Sequence, residues 1–142
     1  MPSDLTLKTM NTVHRLLTTV TFGKFGRQFG VMPVLELTTI GRKSGQRRSV
    51  LLTSPVQQGD TLVIVASRGG DDHHPAWFLN LQANPEVEVS LKGAPKESMR
   101  ARILSSDERT GLWPQVTTAY KGYAGYQEKT DREIPLVALE PV

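Results

Sequence analysis

The stretch PVLELTTIGRKSGQRRSVLLTSP, residues 33–55, contains two apolar runs separated by a polar turn. The runs at residues 33–40 and 49–55 are rich in aliphatic and β-branched side chains, and each has the length of a strand. The segment between them, residues 41–46, has glycine at or near both ends, which is typical of a chain reversal. The stretch therefore predicts two strands joined by a turn.

Four further strands are predicted, at residues 61–67, 86–91, 99–104 and 134–139. The run 62–66 is continuously apolar and predicts a central buried strand. In the next two strands Val87, Val89 and Leu91, and then Met99, Ala101 and Ile103, alternate with polar residues and are expected to face inward.

Two helices are predicted between these strands. One covers residues 75–83, and the other begins at a capping box at residues 105–108 and is expected to kink or divide at Pro114. About six short strands, mostly joined by hairpins, with inserted helices, indicate an α+β protein built on a small antiparallel barrel.

The chain has 142 residues and a net charge of +3. The charge is regional, because residues 1–50 contain eight Lys and Arg against two Asp and Glu. Cysteine is absent, so neither disulfides nor thiolate sites are available. With no long apolar run and no secretion signal, a cytoplasmic location is expected. His73 and His74 are adjacent and His14 is the only other histidine, so no metal site is expected.

The turn at residues 41–46 has the strongest chemical pattern. Its two glycines let backbone N–H groups converge on an anion, and Ser44 adds a hydroxyl. Lys43 and three arginines, Arg42, Arg47 and Arg48, supply cations suited to phosphate or carboxylate. The alternative is a solvated turn that is merely basic. A second glycine pair, Gly69-Gly70, follows the apolar strand and indicates either close approach to a ligand or an ordinary strand-ending turn.

All three tyrosines lie close together, at Tyr120, Tyr123 and Tyr126. A spacing of three places them near one face if the segment is helical. They are candidates for positioning a substrate, because a phenol stacks and also donates a hydrogen bond. The alternative is an aromatic edge of the core. The pair Asp131-Arg132 is expected to form a local ion pair or cap.

These segments together resemble the deazaflavin-dependent nitroreductase family, also described as F-420-dependent quinone reductases. The resemblance is carried in order by LTTIGRKSGQ at 37–46, VASRGG at 65–70, HPAWFLNL at 74–81, ANP at 83–85 and TDREIP at 130–135. It implies a split β-barrel, the cofactor coenzyme F-420 (an 8-hydroxy-5-deazaflavin), and hydride transfer to a quinone-like or nitroaromatic acceptor.

The resemblance also implies roles for individual residues. The phosphate and acidic tail of F-420 would be held by Arg42, Lys43, Ser44, Gly45 and Arg48. The remainder of the cofactor would contact Ala66, Ser67, Arg68, Gly69, Gly70, Pro75, Trp77 and Asn80. The region of Tyr120, Tyr123 and Tyr126 matches the part of the family that lines the substrate pocket, and Ser67 is a further candidate for binding the acceptor or the ring. The sequence departs from the family at Arg47, where proline is common, and at residues 49–51.

Three other functions stay open. The first is a split-barrel oxidoreductase that binds flavin mononucleotide (FMN). The second is a barrel without enzymatic activity that binds anions or nucleic acid, although no aromatic residues are interleaved with cations on its strands. The third is a carrier of the deazaflavin.

Residues 1–32 form a predicted N-terminal helix and arm, ahead of a cofactor-binding barrel domain at 33–142. Residues 5–20 have an apolar arc opposite Lys8 and Arg15, as an amphipathic helix does. This helix is expected to pack on the barrel or a second subunit, or to contact the inner face of the cell membrane reversibly. A homodimer is therefore left open. No nucleic-acid partner is expected.

Overall fold

Seven strands and three helices form the part of the chain that the structure, a computed structural model, describes, which is residues 32–142. The strands are β1 (Val34–Ile40), β2 (Arg47–Thr53), β3 (Val56–Gln58), β4 (Thr61–Val65), β5 (Glu86–Leu91), β6 (Glu97–Ile103) and β7 (Leu136–Pro141). The helices are α1 (Ala76–Ala83), α2 (Ser106–Ala119) and α3 (Gly122–Glu128), and a single 3-10 turn covers Arg68–Gly70.

The strands make one antiparallel sheet in the order β2-β1-β5-β6-β7-β4-β3. β2 and β3 are its edges, so the sheet is curled but not closed. The hairpin of β1 and β2 pairs Leu37 with Val50 and Ile40 with Arg47. The predicted unit of two strands and a turn is confirmed, and it leaves β2 with a free edge among the described residues.

The two faces of the sheet have separate apolar cores. On the inner face, side chains from β1, β4, β5, β6 and β7 enclose Phe78 and Leu81 of α1, both of which are buried. On the other face, α2 and α3 pack Val116 and Tyr123 against β4 and β7. The apolar side chains of helix α1 pack against the inner face of the curled sheet. This packing places the N-terminal half of α1 beside the hairpin of β1 and β2.

Most of the predicted architecture is confirmed at the level of an α+β half-barrel. β3 was missed because three residues are too short to show a period. β4 is buried as predicted, but it lies next to the edge rather than at the centre of the sheet. Ile103 was expected to face inward but is 40% exposed. It is the last residue of β6 and lies beyond the core of the inner face, whereas the next residue, Leu104, packs into the core of the other face.

Helix α2 begins at the predicted capping box, in which Ser105 Oγ accepts a hydrogen bond from the Glu108 N–H and the Glu108 carboxylate accepts one from the Ser105 N–H. It continues through Pro114 to Ala119, so Pro114 does not divide it, and the alternative expectation of a kink stays a prediction. The predicted helix at residues 5–20 lies outside the described residues, and the division at residue 32 stays a prediction. No helix within residues 32–142 is long and apolar enough to cross a membrane.

Candidate functional site

The basic turn between β1 and β2 has a defined backbone. The Gly41 N–H donates to the Gln46 carbonyl at 2.7 Å, and the Gly45 N–H donates to the Gly41 carbonyl at 2.8 Å. Gly45 has φ +70°, where glycine costs least. A side chain at Gly41 would place its Cβ 2.6 Å from Ser44 Oγ. The positive φ therefore favours glycine at Gly45, whereas a side chain at Gly41 would require Ser44 to shift.

A buried amide fixes this turn to helix α1. Asn80 Oδ1 accepts from the Arg42 N–H at 3.1 Å and from Arg42 Nη1 at 3.3 Å. Asn80 Nδ2 donates to Thr39 Oγ1 at 3.2 Å. Asn80 is 5% exposed, so these bonds form away from bulk water and hold the turn against the barrel. Its main contribution in this structure is to position Arg42.

The three remaining cations of the turn point in two directions. The side chain of Arg47 points away from the site, and its Nη1 lies 2.9 Å from Glu88 Oε1 on the other face of the hairpin. Lys43 and Arg48 form no ion pair within the described part of the chain, and both line the same cavity as Asn80. The expectation that Arg47 adds to the anion site is therefore wrong, since strand alternation turns it away from Arg48.

The cavity beside the turn has a volume of about 400 Å³. Its walls combine the basic turn, the inner face of β2 and the exposed side of α1. Its lining residues are Thr39, Gly41, Arg42, Lys43, Ser44, Arg48, Ser49, Val50, Ala76, Trp77 and Asn80. Cations at one side and an indole at the other suit a ligand that is anionic in one part and flat or apolar in another.

A second cavity of about 210 Å³ lies further along the same hairpin. It is lined by Val34, Leu51, Leu52, Thr53, Val65, Ser67 and Tyr123. Aliphatic walls surround three hydroxyl groups, and Tyr123 Oη lies 3.3 Å from Thr53 Oγ1. The cavity can enclose a flat apolar molecule and offer hydrogen bonds to its oxygen atoms.

The three tyrosines form one aromatic cluster. The ring of Tyr120 lies 5.1 Å from that of Tyr123 and 6.2 Å from that of Tyr126, between centroids. Tyr120 precedes α3 and is 42% exposed, whereas Tyr123 lies in the core. Burial raises the pKa of Tyr123, and the hydrogen bond with Tyr120 raises the pKa of Tyr126. Both phenols therefore keep their protons near neutral pH and can act as donors.

The two cavities lie along one strand. Arg48 and Val50 line the first and Leu52 lines the second, and these alternate residues of β2 share a face. At a rise of about 3.3 Å per residue, the Cα atoms of Arg48 and Leu52 are about 13 Å apart. An elongated ligand can therefore place an anionic tail at the basic turn and a ring near Ser67.

The structure divides the predicted site residues between these places. The first cavity brings together Arg42, Lys43, Ser44, Arg48, Trp77 and Asn80, while Gly45 shapes the turn and Pro75 is the buried N-cap of α1. Ser67 and Tyr123 meet in the second cavity. Six further predicted residues lie in neither lining, namely Ala66, Arg68, Gly69, Gly70, Tyr120 and Tyr126.

Several lining residues were missed from the sequence. Thr39 had a signal, because it is a polar residue at the inward-facing position after Leu35 and Leu37 on a strand. Val50 and Leu52 had none beyond strand alternation. Arg132, which binds the segment after β4, was assigned only a local role.

Comparison with known proteins is consistent with this geometry. The family model described as F420H(2)-dependent quinone reductase matches residues 11–141. The chain belongs to this family. It is 36% identical over 131 residues to an F420H(2)-dependent quinone reductase of Mycobacterium tuberculosis, covering 89% of this chain and 87% of that protein. This family membership confirms the resemblance, and with it the predicted reductase class and its cofactor, F-420, at the level of the family.

Two solved structures are similar to the chain. One is an F420-H2 dependent reductase, FDR-A, with 41% identity and a TM-score of 0.67, covering 76% of this chain and 94% of that one. The other is described as a domain-swapped dimer, with 36% identity and a TM-score of 0.66, covering 96% of this chain and 100% of that one. Both similarities support the half-barrel architecture.

Proposed function

We propose that this quinone reductase family member binds reduced F-420 along the inner face of β2 and reduces a quinone in the second cavity. The observation that supports this most is that Lys43 and Arg48, which form no ion pair within residues 32–142, lie at one end of the first cavity. The second cavity, further along β2, contains the hydroxyls of Ser67 and Tyr123. The distance between these two places suits a long cofactor better than a short one.

The donor groups of the first cavity fit the tail of F-420. That tail carries a phosphodiester and a glutamate, and each anion needs a cation or a charge-assisted hydrogen bond. Arg42 is partly engaged by Asn80. The main partners for the cofactor tail are therefore Lys43, Arg48 and the Ser44 hydroxyl. When bound, the reduced deazaflavin supplies the hydride.

The chain's own task at the other end is to hold the acceptor. Leu51, Leu52 and Val65 give the cavity an apolar side, and a hydroxyl beside such a surface binds a developing negative charge more strongly than in bulk solvent. The phenol of Tyr123 and the hydroxyl of Ser67 are the donors that we assign to a quinone oxygen. A nitroaromatic acceptor presents the same pair of features, a flat ring and a polar oxygen, and belongs to the same proposal.

Titration of the purified full-length chain with F-420, followed by cofactor fluorescence, tests the proposal, with FMN in parallel. We expect saturable binding of F-420, and quinone-dependent oxidation of its reduced form. Binding of FMN alone would move the assignment to a flavin oxidoreductase. Binding of F-420 without turnover of any quinone or nitroaromatic would indicate a carrier.

Tyr123→Phe tests the acceptor side. Loss of its hydroxyl removes the donor assigned to the acceptor, together with the 3.3 Å contact with Thr53 Oγ1, and leaves the ring packing in place. We expect the KM for the acceptor to rise about 3- to 10-fold, as the loss of one hydrogen bond would produce. The Kd for F-420 should stay within about twofold, since Tyr123 lies outside the first cavity. The reverse pattern would assign the tyrosine cluster to the cofactor.

A homodimer is the assembly that we propose. It is supported by the chain of 36% identity that is described as a domain-swapped dimer, which covers 96% of this chain. Light scattering on the full-length protein should give twice the mass of one chain, and a single-chain mass would contradict the proposal.

Contact with the membrane through residues 5–20 also stays a proposal. Lys8 and Arg15 give the polar face of this segment its charge. Flotation with anionic vesicles should recover the full chain, and recovery should decline at high salt. Failure to float at low salt would contradict the proposal.

A further inference from the structure

We propose that Arg132 is a positioning residue, which sets the place of Ser67 in the acceptor cavity through three backbone carbonyls. The inference rests on the proposed function of that cavity. Arg132 Nη2 donates to the Ser67 carbonyl at 2.9 Å and to the Ala66 carbonyl at 3.2 Å. Arg132 Nε donates to the Asp71 carbonyl at 2.8 Å. One guanidinium thus binds both ends of the turn Arg68–Gly70.

The guanidinium of Arg132 acts as a hydrogen-bond donor here, and its charge also interacts with the carboxylates of Asp71 and Asp72. It makes no ion pair within 4.0 Å among residues 32–142, so of the two expected local roles, an ion pair or a cap, the ion pair with Asp131 is not formed. Its remaining contact is Nη1 at 3.1 Å from His74 Nδ1. A guanidinium is always a donor, so this contact requires an unprotonated Nδ1. Burial lowers the pKa of His74, and the charge of Arg132 lowers it further.

The turn that Arg132 binds needs support from outside. Arg68, Gly69 and Gly70 have successive φ values of 46°, 65° and 86°. Backbone in this region, with a non-glycine residue at one position, persists only where its surroundings hold it. The turn's own bond, from the Gly70 N–H to the Ser67 carbonyl at 2.9 Å, uses a carbonyl that Arg132 also holds.

The same turn contacts the tyrosine cluster. A Cβ on Gly70 would lie 2.7 Å from the Tyr126 carbonyl oxygen, so the backbones of the turn and α3 touch. Thr130 Oγ1 donates to Asp72 Oδ1 at 2.7 Å and ties the end of α3 to the residues after the turn. Arg132 therefore binds the end of β4 and the turn, and the turn in addition contacts α3.

Ser67 is the residue through which this arrangement reaches the acceptor. Its carbonyl is bound by Arg132, while its side chain lines the second cavity and is 9% exposed. Without the guanidinium the carbonyl would lose its strongest partner, and the side chain would lose its fixed direction. A displacement of about 1 Å at such a site is enough to change rates by 10-fold or more.

The test compares Arg132→Met with Arg109→Met in the full-length chain. Arg109 is a matched control, since its Nε donates to the Ile134 carbonyl at 2.7 Å and its Nη2 to Gln127 Oε1 at 2.8 Å, away from the turn. We expect Arg132→Met to raise the KM for the acceptor about 10-fold and to leave the Kd for F-420 within about twofold. Arg109→Met should lower stability without this split between acceptor and cofactor.

Arg132→Lys keeps the inference testable if Arg132→Met does not fold. An ammonium reaches fewer carbonyls than a forked guanidinium. If both variants fold, we expect the acceptor KM of Arg132→Lys to lie between those of the wild type and Arg132→Met. If only Arg132→Lys folds, we expect its acceptor KM to rise about 3-fold, which corresponds to the loss of one hydrogen bond. An unchanged acceptor KM in both folded variants would overturn the inference, as would an equal rise in Arg109→Met. A wild-type protein that binds no F-420 would instead overturn the proposed function.

Discussion

Replacing Lys43 and Arg48 together with alanine is expected to raise the Kd for F-420 at least about 100-fold, because each lost charge-assisted hydrogen bond weakens binding about 10-fold. Both side chains reach the first cavity, and neither has an ion-pair partner in the described part of the chain that would compensate. The loss should depend on salt. The wild-type affinity should fall as NaCl rises, while that of the double variant should change little.

Arg47→Ala is the control for this variant. It removes one positive charge, against two in the double variant, from an arginine of the same strand whose guanidinium pairs with Glu88 on the opposite face. We expect its Kd for F-420 to stay within about threefold of the wild type, since long-range charge effects are screened. Equal losses in Arg47→Ala and in the double variant would mean that net charge, and not the first cavity, binds the tail.

Substitution of Gly70 by alanine should cause the largest loss of stability, about 2 to 4 kcal/mol. Its φ of +86° disfavours any Cβ, and the added atom would lie 2.7 Å from the Tyr126 carbonyl oxygen and 3.0 Å from Tyr126 Cα. Both neighbours are backbone atoms, which cannot rotate away. The free energy of unfolding from urea titration measures the effect, provided that the transition is two-state.

Two other glycines separate the causes. Gly69 has φ +65° but open space around a Cβ, so Gly69→Ala should cost about 1 kcal/mol from backbone strain alone. Gly125 lies within α3 with open space and no positive φ, so Gly125→Ala should be neutral or stabilise the protein by up to about 1 kcal/mol. If Gly70→Ala cost no more than Gly69→Ala, the contact between the turn and α3 would not be close.

The fold was predictable where a local pattern is long enough to show its period. The seven-residue strands β1 and β2 and the glycine turn between them were recognised because strand-forming composition and turn chemistry agree. The three-residue β3 was missed because it contains no full alternation. Pro114 was expected to kink or divide α2. The helix is not divided there, because the capping box at Ser105 and the packing of Val116 in the core stabilise it on both sides of the proline.

The candidate site was predictable as a set of residue types and much less so as an arrangement. Four cations near two glycines predicted an anion site, and the tyrosines predicted an aromatic surface. The direction of each cation could not be predicted, because Arg47 and Arg48 differ only by one position on a strand. The second cavity could not be predicted either, since Ser67 and Tyr123 are 56 positions apart in the chain.

Residue order alone was sufficient for the half-barrel class, the basic turn and the family, because these depend on short-range alternation, glycine positions and motifs in order. Which side chains act together depends on long-range pairing. Strand pairing places Arg48, Val50 and Leu52 on one face, α1 brings Asn80 to the turn, and Arg132 reaches back 65 positions to the Ser67 carbonyl. Such contacts form only when burial of the two cores brings distant segments together, since the free energy that holds them comes from packing and not from local sequence.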